Sequence, residues 1–113
     1  MGKLTTHVLD TARGRPAAGV PVTLELEAAG GWILLGKGTT NADGRISDLL
    51  PNDTAIEAGV YRLIFDTSIY FAANNVQAFY PQVTVVFKIE NPDQHYHVPL
   101  LLSPFGYSTY RGS

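Results

Sequence analysis

Three histidines are the side chains of this sequence best suited to acid–base chemistry, and two of them stand two positions apart. His95 and His97 flank a tyrosine, and His7 lies near the start of the chain. In an extended strand, side chains at i and i+2 project from the same face about 6.6 Å apart. Imidazole exchanges protons near neutral pH, so histidines on one face can activate water. The plainer interpretation is that each is a strand histidine without a catalytic role.

Other hydrolytic chemistries find less support in the sequence. The chain has no cysteine and no Gly-x-Ser-x-Gly motif, which argues against a covalent acyl intermediate. A His-x-His pair with a distant histidine can bind zinc. No carboxylate stands at a ligand-like spacing, however, so we expect neither a metal nor another cofactor.

Arg45 is the candidate for binding an anion or a carbonyl oxygen. It follows Asp43-Gly44, and most arginines in such triplets are exposed residues that leave a β-turn. A guanidinium in a site can instead grip a planar, partly anionic substrate through paired hydrogen bonds. The triplet alone does not decide between the two.

The elements that must position these side chains are short strands. Apolar and polar residues alternate over residues 20–27, 61–66 and 83–89, as in antiparallel strands with one wet face. Glycine- and asparagine-rich turns separate such segments at intervals of mostly 8 to 12 residues. The pattern predicts a mainly β fold, a two-sheet antiparallel β-sandwich.

One segment does not alternate, and it predicts a single short helix. Residues 67–74 lack the period of two; Thr67 or Ser68 can cap the start, and Asn74-Asn75 can end it. We expect this helix at an edge of the sandwich.

Alternation also predicts which way the histidines point. Around His97, the other parity is filled by residues suited to the core: Tyr96, Val98, Leu100 and Leu102. His7 is likewise opposite in parity to Leu4, Thr6 and Val8. If the first and penultimate strands are neighbours, His7 and His97 face the same surface.

Composition sets the remaining bounds. The 113 residues, 45% hydrophobic and 16% charged, predict one globular domain over residues 1–113 whose high apolar content suggests an oligomer interface. With a net charge of −2 and scattered basic residues, the sequence does not predict nucleic-acid binding. No apolar run is long enough to span a membrane, and residues 1–6 lack a secretory h-region, so we expect a cytoplasmic protein.

Three separated motifs, in order, resemble one family. Thr6-His7-Val8-Leu9-Asp10 followed by Gly14 and Pro16-Ala17 is similar to the opening strand and turn of 5-hydroxyisourate hydrolases. Asp43-Gly44-Arg45 resembles their middle motif, and Tyr110-Arg111-Gly112-Ser113 resembles their ending. The resemblance covers essentially the whole chain.

The resemblance implies a transthyretin-like fold of about eight strands with one short helix, assembled as a homotetramer, a dimer of dimers. It assigns catalysis to His7, Arg45, His97 and Ser113, and substrate binding to His7, Arg45, Tyr110 and Ser113. Ser113 would act through its hydroxyl or a terminal carboxylate. His95 matches a neighbour without a catalytic role. Pro99 and residues 100–102 would belong to the surface between dimers.

The activity implied is hydrolysis of 5-hydroxyisourate to 2-oxo-4-hydroxy-4-carboxy-5-ureidoimidazoline in urate degradation, by histidine-activated water without a metal. The alternative is a non-catalytic transthyretin-like protein that binds a small aromatic ligand. A structural or adhesive sandwich is a further alternative, but it leaves His7, Arg45 and His97 unexplained.

Overall fold

The computed structural model describes residues 3–50 and 54–113 and confirms a mainly β sandwich with one short helix. The elements in chain order are β1 Leu4–Asp10, β2 Arg15–Pro16, β3 Pro21–Ala28, β4 Gly31–Thr39, β5 Arg45–Ile46, β6 Gly59–Phe65, α1 Thr67–Ala73, β7 Val83–Ile89, β8 Tyr96–Ser103 and β9 Gly106–Thr109. Two of these strands, β2 and β5, are only two residues long.

The strands form two sheets. The first runs β2-β1-β8-β9, with β5 also paired to β1, and the second runs β4-β3-β6-β7. All these pairings are antiparallel except β1–β8, which is parallel. The predicted antiparallel sandwich therefore contains one parallel pair, in which residues 92 positions apart lie side by side with no tight turn between them.

The core fills the space between the two sheets and follows the predicted alternation. On β1 and β8, every second side chain is buried, beginning with Leu4 and Tyr96. On β3, β6 and β7 the same alternation buries residues of the second sheet, including Val22, Leu63 and Val83. Side chains of the intervening parity on β1 and β8 form the outer face of the first sheet.

The N-cap of α1 lies one residue before the first of its two predicted caps. Asp66, not Thr67 or Ser68, is the N-cap, and its side chain makes no capping hydrogen bond to the backbone. Ser68 Oγ donates to Asp66 Oδ1 instead. Asn74 is the C-cap, and Asn75 has a φ of 56°, so the predicted end of the helix is confirmed.

The segment from Pro99 to Leu102 cannot all belong to a surface between dimers. Leu100 and Leu102 are buried inside this subunit, whereas Leu101 is half-buried on the outer face. Pro99 shares the parity of Leu101. Because of the two-residue period, Pro99 and Leu101 point outward, but Pro99 is buried within this subunit, so only Leu101 is partly exposed there.

Within residues 3–50 and 54–113, no helix is long and apolar enough to cross a membrane.

Candidate active site

The parallel pairing of β1 with β8 brings two of the histidines to one surface. Thr5 pairs with His97, and His7 pairs with Pro99. Both histidines have the outward parity of their strands and are half-buried. The adjacency of the first and penultimate strands, on which the predicted shared face depended, is thus present.

A tight turn places Arg45 next to β1. Asn41 Oδ1 accepts hydrogen bonds from the backbone N–H groups of Asp43 (2.9 Å) and Arg45 (3.0 Å). Gly44 has a φ of 74°, and a Cβ there would lie 2.4 Å from the Val8 carbonyl oxygen, so only glycine fits. The turn leads into β5, where Arg45 pairs with His7.

The C-terminal segment approaches from the other side. The Gly112 N–H donates to the His97 carbonyl oxygen at 2.8 Å, which forms an isolated bridge beside β8. The Arg111 guanidinium lies 4.4 Å from the centre of the Tyr96 ring and donates to Gln94 Oε1 at 3.1 Å. These contacts carry Ser113 to the cleft beside His97.

These elements enclose a cleft of ≈ 280 Å³, which we call the histidine cleft. Its lining residues are Thr5, Thr6, Arg45, Ile46, Ser47, His95, His97 and Ser113. Three of the sequence-predicted site residues, Arg45, His97 and Ser113, line it together. His7 is not part of this lining, but it lies on the same face and pairs with Arg45.

Tyr110 lies elsewhere. It is 57% exposed and lines a neighbouring cleft between the edges of the two sheets, together with Phe87 and Arg111. His97 borders both clefts. Within one subunit, the structure therefore does not bring Tyr110 to Arg45 and Ser113.

The surroundings of both outward histidines lower their pKa values and so favour the neutral form. Burial lowers the pKa of His97, and the charges of Arg45, His7 and His95 lower it further, against a hydrogen bond with the Thr5 backbone. Burial and then Arg45 lower the pKa of His7, while a backbone hydrogen bond with Asp43 and the Asp43 charge act in the opposite direction. At pH 7 both imidazoles can accept a proton.

Sequence analysis missed Thr5, although its hydroxyl lies 2.7 Å from Nδ1 of His97. Thr5 has the same parity as His7, so alternation places it on the outer face. Only the long-range register of β1 with β8 shows which side chain it meets.

No group of three or more His, Asp or Glu side chains in the described part of the chain is arranged to hold a metal ion. The arrangement that is present combines two imidazoles, the exposed Arg45 side chain and one hydroxyl on a single face. Such a set can deprotonate water and stabilise negative charge on a carbonyl oxygen.

Comparisons with known proteins agree with the motifs. The model of the HIUase/Transthyretin family matches residues 4–112. A 5-hydroxyisourate hydrolase of Mus musculus is 51% identical over 112 residues, which are 97% of this chain and 94% of the mouse protein.

Two solved structures show how far the fold alone can guide function. The 5-hydroxyisourate hydrolase of Klebsiella pneumoniae has a TM-score of 0.86 and 38% identity, and all of both chains is covered. Sea bream transthyretin in complex with thyroxine has a TM-score of 0.88 and 36% identity, over 97% of this chain and 94% of the transthyretin. Because a hydrolase and a thyroxine-binding protein match about equally well, the side chains of the site must separate the two functions.

Proposed function

The chain belongs to the HIUase/transthyretin family, and we propose that it is an enzyme that hydrolyses 5-hydroxyisourate. The observation that carries the proposal is the convergence of Arg45, His97 and Ser113 in one cleft, with His7 beside Arg45 on the same face. Relatives named as 5-hydroxyisourate hydrolases, about half identical over nearly the whole chain, support it.

The proposed step is addition of water to the carbonyl of a cyclic amide. A neutral histidine takes one proton from water while the water oxygen bonds to the carbonyl carbon. The C–N bond then breaks, and the histidine returns the proton to the departing ring nitrogen. The product is 2-oxo-4-hydroxy-4-carboxy-5-ureidoimidazoline. His7 and His97 share this work, since burial and Arg45 keep both neutral at pH 7.

Arg45 and Ser113 serve binding in this proposal. The Arg45 guanidinium donates to the carbonyl oxygen as it becomes negative, and it holds the planar substrate. The Ser113 hydroxyl, brought to the cleft by Gly112, positions substrate or water. Tyr110 would have to reach a site from a neighbouring subunit, because it lies outside the histidine cleft of its own.

We further propose a homotetramer built as a dimer of dimers. The outer face of the first sheet carries the half-buried apolar side chains of Leu9 and Leu101 close to the histidines. Covering this face with a second subunit would bury these residues and would exclude bulk water from the histidine cleft.

The second candidate function is binding of an aromatic ligand without conversion. It is favoured by the likeness to sea bream transthyretin in complex with thyroxine. A carrier needs no neutral histidines next to an arginine, so this candidate leaves the site unexplained.

The deciding experiment follows the ultraviolet absorbance of freshly generated 5-hydroxyisourate with and without the protein. We expect the protein to make the decay faster than the spontaneous rate. The turnover of His97→Asn should be at least about a hundredfold lower, which is the usual effect of losing a general base. His95→Asn removes an exposed imidazole of the same cleft lining to which no catalytic role is assigned, and it should retain most of the turnover. Ligand binding without acceleration would favour the carrier, and a fully active His97→Asn would remove His97 from the mechanism.

A further inference from the structure

We propose that Thr5 and Gly112 are positioning residues that hold the His97 ring from the two sides of β8, so that its Nε2 exchanges protons in the histidine cleft. The kinetic part of this inference rests on the proposed function; the structural part does not. Neither residue was singled out as functional by its type or spacing.

Thr5 holds one ring nitrogen. Its Oγ1 lies 2.7 Å from Nδ1 of His97, at a point where β1 and β8 pair Thr5 directly with His97. The hydroxyl can donate to Nδ1 or accept from it, and only when it accepts from Nδ1–H is Nε2 unprotonated and able to take a proton from water. In both cases Nδ1 is committed to Thr5, and Nε2 is the nitrogen left to meet substrate or water.

Gly112 holds the other edge of the ring. A Cβ at position 112 would lie 2.6 Å from Cδ2 of His97 and 3.2 Å from Cγ of Pro99. Cδ2 is bonded to Nε2, so the backbone of Gly112 closes on the ring beside its free nitrogen. Any larger residue would push the ring aside and would pull Nδ1 away from Thr5.

The C-terminal segment is itself held in place by contacts with β8 and Tyr96, so the Gly112 backbone has a defined position next to the His97 ring. Its N–H donates to the His97 carbonyl oxygen, and Arg111 stacks on the buried Tyr96 ring. The ring of His97 is therefore held between the Thr5 hydroxyl on β1 and the backbone of Gly112. A histidine confined in this way loses little orientational freedom when it transfers a proton.

The first test compares Thr5→Val, Thr5→Ser and Thr23→Val with the unchanged protein. Valine keeps the shape and strand propensity of threonine but removes the hydroxyl, serine keeps the hydroxyl, and Thr23 is a half-buried strand threonine of the other sheet. Long-range ¹⁵N–¹H correlations of labelled histidine report the ring tautomer directly. We expect the Nδ1–H tautomer of His97, which a base acting through Nε2 requires, in the unchanged protein, Thr5→Ser and Thr23→Val, and a mixture in Thr5→Val.

The same variants are assayed for turnover. We expect Thr5→Val to lower kcat about tenfold, the loss of one hydrogen bond, with KM changed less than about twofold. Thr5→Ser should restore most of kcat. A single, unaltered tautomer in Thr5→Val, or equal loss in Thr5→Ser and Thr5→Val, would overturn the proposal.

The second test uses Gly112→Ala with Gly106→Ala as its matched control. At Gly106 a Cβ would meet only Ser103 Oγ, at 3.8 Å, which is an ordinary contact. We expect Gly112→Ala, but not Gly106→Ala, to mix the His97 tautomers and to lower kcat at least about tenfold, as a displaced catalytic group does. Because both changes act through one ring, Thr5→Val combined with Gly112→Ala should cost no more than the worse single change. Full additivity would overturn the shared cause.

Failure of this inference and failure of the proposed function are distinguishable. If the unchanged protein does not accelerate 5-hydroxyisourate decay, the tautomer measurements still decide whether Thr5 and Gly112 hold the ring. If it does accelerate decay while the variants keep one tautomer and full kcat, the positioning roles are wrong and the hydrolase proposal stands.

Discussion

His7 and His97 can serve as bases only while they are neutral, and their surroundings favour that state. Burial is the largest cause of the lowered pKa of each, followed by the Arg45 charge. Since both pKa values lie below the ordinary 6.5, the neutral fraction exceeds one half at pH 6.5 and grows as the pH rises. Arg45 thus has two effects, because the cation that binds the substrate also keeps the bases unprotonated.

The first residue-scale prediction concerns the pH dependence of kcat/KM, which reports the free enzyme. Activity should rise with pH on the acid side, with a midpoint below 6.5, and should be flat through pH 7. Initial rates between pH 5 and 8, corrected for spontaneous decay at each pH, measure it. A midpoint at or above 6.5 would show that burial and Arg45 do not control the active histidines.

The second residue-scale prediction removes the cation. Arg45→Gln should raise the pKa of both His7 and His97, because the guanidinium is the second cause of lowering for each. Proton NMR titration of the imidazole C–H signals measures both pKa values and does not depend on an activity assay. Lys37→Gln, a change of the same charge on β4 of the other sheet, is the control and should leave both titrations in place. Unmoved midpoints in Arg45→Gln would contradict the proposed coupling.

At the scale of elements, the sequence predicts strands well and their long-range neighbours poorly. The alternation of Leu4, Thr6 and Val8 correctly separates core from outer face, and so does that of Tyr96 and Val98. The period of two is local, however, and says nothing about which strands pair. The contact of Thr5 with His97 depends on a parallel pairing over 92 positions, so only the structure reveals it.

The helix α1 shows a different limit. Its position follows from the missing alternation over residues 67–74, but its capping does not follow from residue type. No side chain caps its N-terminus, and its first turn has no acidic residue. A seven-residue helix of this kind is stabilised by tertiary contacts. Tyr70 supplies one, since its hydroxyl donates to the buried Asp10 Oδ2 at 2.6 Å.

The element-scale prediction is that Tyr70→Phe lowers the free energy of unfolding by about 2 kcal/mol, the usual cost of losing a buried hydrogen bond to a charged group. The Asp10 carboxylate would keep only its backbone donors from Ala12 and Arg13. Urea denaturation measures the loss. Tyr107→Phe, with a side chain 43% exposed, should cost less than about 0.5 kcal/mol. Equal stability of the two variants would mean that the Tyr70 hydroxyl does not hold α1.

At the scale of the whole molecule, β1 and β8 serve two purposes at once. Their inward side chains close the core of the subunit, and their outward side chains carry His7, His97 and an apolar group. The family resemblance implied that residues 100–102 lie between dimers as a block. Strand geometry allows this only for Leu101, because Leu100 and Leu102 point into the core. A sequence motif marks a segment of chain, whereas the pleat decides which of its members a partner can touch.

The whole-molecule prediction therefore concerns Leu101 alone. Leu101→Arg should leave the subunit folded, since its side chain is only half-buried, but should place a charge on the face proposed to meet a second dimer. Light scattering during size-exclusion chromatography should show a shift from tetramer to a smaller species. Turnover should fall with the tetramer fraction, because the proposed site needs a covering subunit.

Leu34→Arg is the matched control. Leu34 lies on the edge strand β4 of the other sheet and is 52% exposed, so the same charge there should change neither mass nor turnover. An intact tetramer in Leu101→Arg would place the dimer contact elsewhere. A smaller species with undiminished turnover would show instead that one dimer holds a complete site, and that Tyr110 need not come from across the proposed interface.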